Sequence, residues 1–292
     1  LTLDVDNEYF GPKNSGPWKG IKPYDVFKEG ALSLKWHHLI KDKANELGLD
    51  FFSTPFDIEA VNFLESINVP KYKIASFEIN HIPLIKYVAS KGKPMIISTG
   101  VAEENDIKLA IETCRNAGNN DITLLKCTSQ YPSKLEDANL ATMLDMKERF
   151  GVKVGLSDHS EGYRVPVVAV SLGAEVVEKH FILDRKIGGP DAFFSMEPRE
   201  FKKMVDEIRL VEKALGKVKY SVSVDQKRRR RSIFVSENIL VGETFTKKNI
   251  RVVRPSIGMQ PKFYDDILGK TASCNLVKGS PLYNSDVTID EN

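Results

Sequence analysis

The sequence predicts an α/β fold: a (β/α)₈ barrel whose first two strands it does not show, followed by a small C-terminal domain. Short apolar runs recur with amphipathic helical patterns between them, as expected of parallel strands joined by helical crossovers. The runs return at intervals of roughly 20 to 30 residues, a spacing that fits a barrel and fits a doubly wound sheet less well. No Gly-rich phosphate loop follows an early strand, which weakens the second option. After Gly216 the pattern gives way to a charged stretch and then to short runs with frequent Gly and Pro, so a domain boundary falls there.

The predicted strands are 51–56, 72–76, 95–99, 122–128, 152–157 and 176–181. Between them the apolar residues keep the helical period: Trp36, Leu39, Ile40, Ala44 and Leu47 form one stripe, and Ile107, Ala110, Ile111 and Cys114 another. Phe201, Met204, Val205, Ile208 and Val211 form a third after the last strand. These stripes are expected to face the core. Residues 1–216 are thus expected to form the barrel domain, 217–231 a polar linker and 232–292 the small domain. The runs 233–235, 242–246, 251–255 and 278–282 suggest a compact, strand-poor module of about 60 residues, near the lower limit for folding alone. Such a module would gain from docking onto another surface.

Composition excludes several classes. Lys and Arg number 42 against 40 acidic residues, so the charge gives no reason to expect nucleic acid as a partner. The one basic run, Lys227 to Arg231, has no aromatic residues interleaved and reads as a solvated linker or an intersubunit contact. Cys114, Cys127 and Cys274 show no metal spacing and cannot all pair within one chain, which favours a reducing compartment, the cytoplasm. Cys127 ends a predicted strand and is read as a small buried thiol rather than a nucleophile. No apolar stretch approaches the ~18 residues of a membrane span, and no signal segment opens the chain.

The chemistry is expected at two strand-end histidines. His159, in Gly155-Leu-Ser-Asp-His159, and His180, in Glu178-Lys-His-Phe181, close successive apolar runs one strand-helix-strand step apart. Adjacent parallel strands would carry both imidazoles to one rim. Alternation within a strand puts Ser157 on the side of His159 and Glu178 on the side of His180. Two neutral imidazoles with oxygen donors nearby suit a divalent ion that keeps positions free for substrate. His37, His38 and His81 lie on predicted helices or turns and are read as structural.

A family resemblance rests on six strings taken in order: Phe52-Ser-Thr-Pro-Phe-Asp57, Tyr72-Lys-Ile-Ala-Ser-Phe-Glu78, Ile97-Ser-Thr-Gly100, Lys126-Cys-Thr-Ser-Gln-Tyr-Pro132 and the two histidine motifs. Together they resemble the sialic acid synthase family. Gly188-Gly-Pro-Asp-Ala-Phe-Phe-Ser-Met-Glu-Pro198, Arg254-Pro-Ser-Ile-Gly258 and Pro261-Lys-Phe-Tyr264 resemble its pseudaminic acid branch, as does the opening with Pro17-Trp18, Tyr24 and Trp36-His37. Trp18 is expected either to cap a sugar pocket or to pack a long loop.

The resemblance implies a barrel followed by an antifreeze-like (SAF) domain, in a domain-swapped homodimer whose small domains cover the partners' active sites. It implies condensation of phosphoenolpyruvate with an open-chain N-acetylated amino sugar, giving a nonulosonic acid and phosphate. For the pseudaminic branch that sugar is 2,4-diacetamido-2,4,6-trideoxy-altropyranose. His159 and His180 would hold the ion, with Mn²⁺ the family expectation and Mg²⁺, Co²⁺ or Zn²⁺ compatible with the ligands. As a Lewis acid the ion would make the aldehyde more electrophilic toward the weakly nucleophilic enol carbon. Proton handling falls to Glu178, by proximity, or to a water on the ion.

Phosphoenolpyruvate carries two anionic ends and needs cations and hydroxyls around it. Lys73, Ser76, Glu78 and Ser98 lie in the family strings that line this pocket, with Thr54, Ser129 and Ser157. Tyr131 and Asp191 match positions that contact the sugar, and Arg254 matches an arginine delivered by the partner's small domain. Phe193 and Phe194 suit the methyl of a deoxy sugar.

Family members begin with two further strands bearing a Glu, a Lys and a Gln that help hold phosphoenolpyruvate and the ion. A six-stranded remnant standing alone is expected to leave a barrel edge unpaired and the site short of a cation, hence to be unstable and inactive. Two alternatives remain: a synthase for neuraminic or legionaminic acid, and a carbohydrate-binding protein with a dead barrel. Intact His159, His180 and Lys73 argue against the second.

Overall fold

Apolar runs without polar alternation need cover on both faces, and five of the six predicted strands meet that need side by side in one parallel sheet. The computed structural model describes residues 2–14, 19–189 and 191–288. The strands are β1 (Tyr72–Ile74), β2 (Met95–Ser98), β3 (Ile122–Cys127), β4 (Lys153–Asp158) and β5 (Val177–Lys179), paired in chain order. Helices α1 (Pro23–Gly30), α2 (Leu34–Glu46) and α3 (Ile58–Ser66) precede β1. The crossovers are α4 (Ile82–Ala89), α5 (Glu104–Asn116), α6 (Ala141–Phe150) and α7 (Arg164–Ser171), and α8 (Pro198–Leu215) follows β5. Ile74, Ile97, Leu124 and Val154 of the sheet share one buried cluster with Leu84, Ile111 and Met143 of the helices.

The sheet is rolled. Lys73 in β1 reaches Glu178 in β5, with Nζ 3.3 Å from Oε2, although three strands lie between them in the ladder order. Close packing at β4 makes that curvature possible. A Cβ on Gly155 would sit 2.4 Å from the Val176 carbonyl oxygen and 2.7 Å from a Leu125 methyl, so only glycine lets β3 and the approach to β5 come this near.

Two expectations fail here. Residues 51–56 take no regular secondary structure and join no ladder among the described residues. Pro55 has no N–H to donate, and Asp57 turns the chain into α3 by accepting the Ala60 N–H at 2.7 Å. The stripe on α2 does not face the core of the described structure, with Trp36 56% and Leu47 61% exposed. Periodicity identifies an apolar face, not a surface for it to pack on. It is His37 that anchors α2, buried edge-on against Phe51 and Phe63. The other two stripes do pack inward, Ile107, Ala110, Ile111 and Cys114 on α5 and Met204 and Ile208 on α8.

The chain forms two compact units, Leu1–Gly216 and Lys217–Asn292. In the second, β6 (Ser232–Val235) pairs antiparallel with β7 (Ile250–Val253) over a core of Ile233, Phe245, Ile250 and Leu282. The stretch 217–231, expected as a linker, contains α9 (Val224–Arg228), capped by Ser223 accepting the Gln226 N–H at 3.2 Å. A short helix α10 (Tyr264–Ile267) completes this unit's helices among the described residues. Trp18 lies outside the described residues. No helix among the described residues is long and apolar enough to cross a membrane.

At the start of β1, the Tyr72 hydroxyl donates to Glu65 Oε1 at 2.5 Å and Lys93 lies 2.8 Å from the same oxygen. Burial alone would raise the Glu65 carboxyl, but the hydrogen bonds from Lys93 and Tyr72 and the charge of Lys93 outweigh it and hold the group below its usual value. A depressed folded-state value means that this stabilisation is present above the unfolded value, about 4.3, and is lost as pH falls through the folded one. The urea-midpoint difference between wild type and Glu65→Gln is therefore expected to shrink on acidification below about pH 4.3. A difference that stays constant contradicts this. Gly155→Ala is expected to lower stability by about 1 to 3 kcal/mol in urea unfolding, from overpacking against backbone.

Candidate functional site

Strand ends gather the site. In the β4–β5 ladder Ser157 sits opposite Glu178 and Asp158 opposite Lys179. One residue further on, His159 and His180 leave their strands side by side, with ring centroids 5.2 Å apart. Ser157 and Glu178 flank them on the same face, as alternation requires, and the Ser157 hydroxyl donates to Glu178 Oε1 at 3.0 Å. The other carboxylate oxygen faces Lys73, whose side chain is 7% exposed. Lys73 also donates to the Ile74 carbonyl at 3.2 Å.

The first imidazole has a defined proton. His159 Nδ1 lies 2.9 Å from the Thr128 carbonyl oxygen, which can only accept, so Nδ1 donates and Nε2 carries the free lone pair in the neutral ring. Burial works against charging His159, but hydrogen bonding to Cys127 and to the Thr128 carbonyl outweighs it and holds the ring above its ordinary value. His180 goes the other way: burial lowers it, His159 adds repulsion, and the attraction of Asp191 does not compensate. Asp191 Oδ2 is 3.6 Å from His180 Nδ1, too long for a hydrogen bond.

Aromatic rings frame the pair. Tyr131 stacks at a tilt on His159 with centroids 4.3 Å apart, and Phe194 stands edge-on to His180 at 4.8 Å. Phe194 is buried while Phe193 beside it is exposed. The two phenylalanines thus divide their roles: one wedges the imidazole, and the other is presented to solvent.

A second group of polar atoms lies at the ends of β1 to β3. Ser76 Oγ accepts the Gly100 N–H at 3.0 Å. A Cβ on Gly100 would fall 2.2 Å from Ser129 Oγ, 2.8 Å from Cys127 Sγ and 2.9 Å from Ser76 Oγ. Three polar side chains converge there, and glycine is what leaves them room. Ser98 Oγ and Glu78 Oε2 are buried without a hydrogen-bond partner. Such orphans are expensive and call for a ligand, a water or an ion. Burial raises the Glu78 carboxyl more than Lys73 lowers it. The Cys127 thiol stands at about 7: burial raises it, but hydrogen bonds from His159, Ser76 and Ser157 bring it down.

The remaining candidates are more scattered. Thr54 is half-buried in the irregular segment before α3. Arg254 belongs to the second unit, exposed just after β7. His37 and His81 serve structure, His81 accepting the Leu84 N–H at the start of α4. Sequence reasoning missed the Thr128 carbonyl, Gly100 and the burial of Phe194. Only Gly100 left a trace, as the glycine that closes the Ile97-Ser-Thr-Gly100 string.

As for a metal, the site offers His159 Nε2 and an imidazole at His180 whose charging burial disfavours, and ligation needs the neutral ring. Among the described residues no group of three or more His, Cys, Asp and Glu side chains is arranged to hold an ion. The two nitrogens therefore fit as a pair of ligands and not as a complete protein set.

An α/β half-barrel with its polar groups collected at the C-terminal strand ends has the active-site placement of barrel enzymes, and comparison identifies which ones. The NeuB family profile matches residues 2–220 and the SAF domain matches residues 230–288. The chain belongs to the NeuB family. It is 44% identical over 274 residues to the pseudaminic acid synthase of Helicobacter pylori, covering 92% of this chain and 81% of that one. It is 37% identical over 278 residues to the N,N'-diacetyllegionaminic acid synthase of Legionella pneumophila, covering 92% and 78%. Among solved structures, the N-acetylneuraminic acid synthetase of Leptospira borgpetersenii superposes with a TM-score of 0.66 at 34% identity, over 70% of this chain and 71% of that one.

Removing the Ser98 hydroxyl leaves nothing unpaired, because it has no partner to strand. Ser98→Ala is expected to be as stable as wild type or more stable by up to about 1 kcal/mol in urea unfolding. A clear loss of stability would mean that the hydroxyl is already satisfied.

Proposed function

We propose that this chain catalyses the condensation of phosphoenolpyruvate with the open-chain aldehyde of 2,4-diacetamido-2,4,6-trideoxy-altropyranose and water, giving pseudaminic acid and phosphate. The observation that carries the reading is the contact between Lys73 and Glu178 across the rolled sheet, 3.3 Å long, at the same strand ends as the paired imidazoles. The identity to the Helicobacter enzyme, higher than to the Legionella one, supports the pseudaminic acceptor.

Each residue takes a part. Lys73 and the hydroxyls of Ser76, Ser98, Ser129, Ser157 and Thr54 receive the anionic ends of phosphoenolpyruvate, and the orphaned Ser98 Oγ gains the partner it lacks. Glu78, its carboxyl raised by burial, has an oxygen without a hydrogen-bond partner that substrate can meet. The enol carbon attacks the aldehyde, water adds at C2, and carbon–oxygen cleavage releases phosphate. Glu178, held between Lys73 and Ser157, takes the proton that the attacking water gives up.

His159 and His180 would hold a divalent ion, Mn²⁺ by family expectation, which when bound supplies Lewis-acid polarisation of the aldehyde oxygen. Tyr131 and Asp191 orient the sugar, and exposed Phe193 offers its methyl an apolar wall. Arg254 would reach the site of a second copy in a homodimer. Unpaired thiols at Cys114, Cys127 and Cys274 are in keeping with a cytoplasmic setting.

The test is phosphate release from phosphoenolpyruvate with each acceptor. The diacetamido-altrose sugar is expected to support release, chelator to abolish it, and N-acetylmannosamine to react more slowly by about tenfold or more, the discrimination a methyl-sized pocket provides. Ser98→Ala is expected to fold and to raise KM for phosphoenolpyruvate. Release indifferent to the sugar, or to chelator, overturns the reading.

A further inference from the structure

The two imidazoles lie on one face of β4 and β5, and alternation turns the residue before each of them to the other face. There Asp158 and Lys179, register partners, form an ion pair with Nζ 2.6 Å from Oδ2 and side chains only 3% and 1% exposed. Lys179 Nζ also donates to the Ser160 carbonyl. Asp158 Oδ1 accepts the Ser160 N–H at 3.0 Å. The backbone of Ser160, next after His159, is thus held at its N–H by Asp158 and at its carbonyl by Lys179, the residue that precedes His180. The same segment is fastened to the loop that carries Tyr131, since the Ser133 N–H donates to the His159 carbonyl at 3.0 Å.

We propose that Asp158 and Lys179 are positioning residues, a buried clamp that sets the separation of the His159 and His180 rings. A buried ion pair is seldom a better stabiliser than two well-packed apolar side chains, because desolvation offsets most of the attraction. What the pair does supply is direction. Its hydrogen bonds converge on the Ser160 backbone from both strands, and each anchor lies one residue from a ring. A ligand pair must be held to within about 0.5 Å to act together, and this pair both joins β4 to β5 and holds the Ser160 backbone beside His159.

The proposal rests on the site described under the proposed function but can be tested apart from it. Lys179→Met alone strands a buried carboxylate and is expected to unfold at lower urea. The double variant Asp158→Asn with Lys179→Met buries no charge and is expected to unfold near the wild-type midpoint. In a crystal structure of the double variant, the rings are expected to depart from the 5.2 Å separation seen here or to lose defined positions. Binding of Mn²⁺ alone, followed by electron paramagnetic resonance, is expected to weaken by about tenfold or more, and kcat to fall with little change in KM for phosphoenolpyruvate. Rings unmoved to within about 0.5 Å in the folded double variant overturn the clamp. If wild type neither binds Mn²⁺ nor releases phosphate, the proposed function fails, and the ring separation still decides the clamp.

Discussion

The register between β4 and β5 is the constraint on which the site depends. It sets Ser157 against Glu178 and Asp158 against Lys179, and so brings His159 and His180 out at one level. Because side chains alternate with period two, a slip of one residue in either strand would exchange the faces. The imidazole of that strand would turn toward the helices and a buried charge toward the pocket. Gly155 contributes by admitting the Val176 carbonyl to close range, and the ion pair on the far face penalises any other alignment by leaving a charge unpaired.

The electrostatics of the pocket follow from burial opposed by specific partners. Lys73 and Glu178 satisfy each other from opposite edges of the sheet, so closing the roll and pairing these charges are one event. His159 and His180 shift in opposite directions because Cys127 and the Thr128 carbonyl outweigh burial at the first, while burial and the repulsion of His159 prevail over Asp191 at the second. Orphaned atoms at Ser98 and Glu78 are what a pocket looks like when its polar groups are arranged for a ligand and not for each other.

Much of this was legible in the sequence, for identifiable reasons. Buried parallel strands are near-continuous apolar runs, so β1 to β5 stood out, and the histidines closing two of them could be placed on a shared rim by spacing alone. The segment 51–56 has the same composition but lacks a ladder partner, a property of its neighbours and not of its residues. The α2 stripe has an apolar face for a similar reason without a core to meet it: amphipathicity reports that a face wants cover. Contacts that cross the roll, such as Lys73 with Glu178, or that use backbone, such as His159 with Thr128, leave no local pattern. The Asp158–Lys179 pair sat inside both histidine motifs, hidden because attention to one face of a strand passes over the other.

The central claim is that one ion is shared by two imidazoles on neighbouring strands. Electron paramagnetic resonance of Mn²⁺ titrated into wild type, His159→Ala and His180→Ala tests it most directly. If both rings hold the same ion, each single substitution weakens binding by about tenfold or more, and the double substitution removes little beyond what the first took. Should either single variant bind Mn²⁺ as wild type does, or the two losses add as if independent, the rings do not serve one ion and the account of the site is wrong.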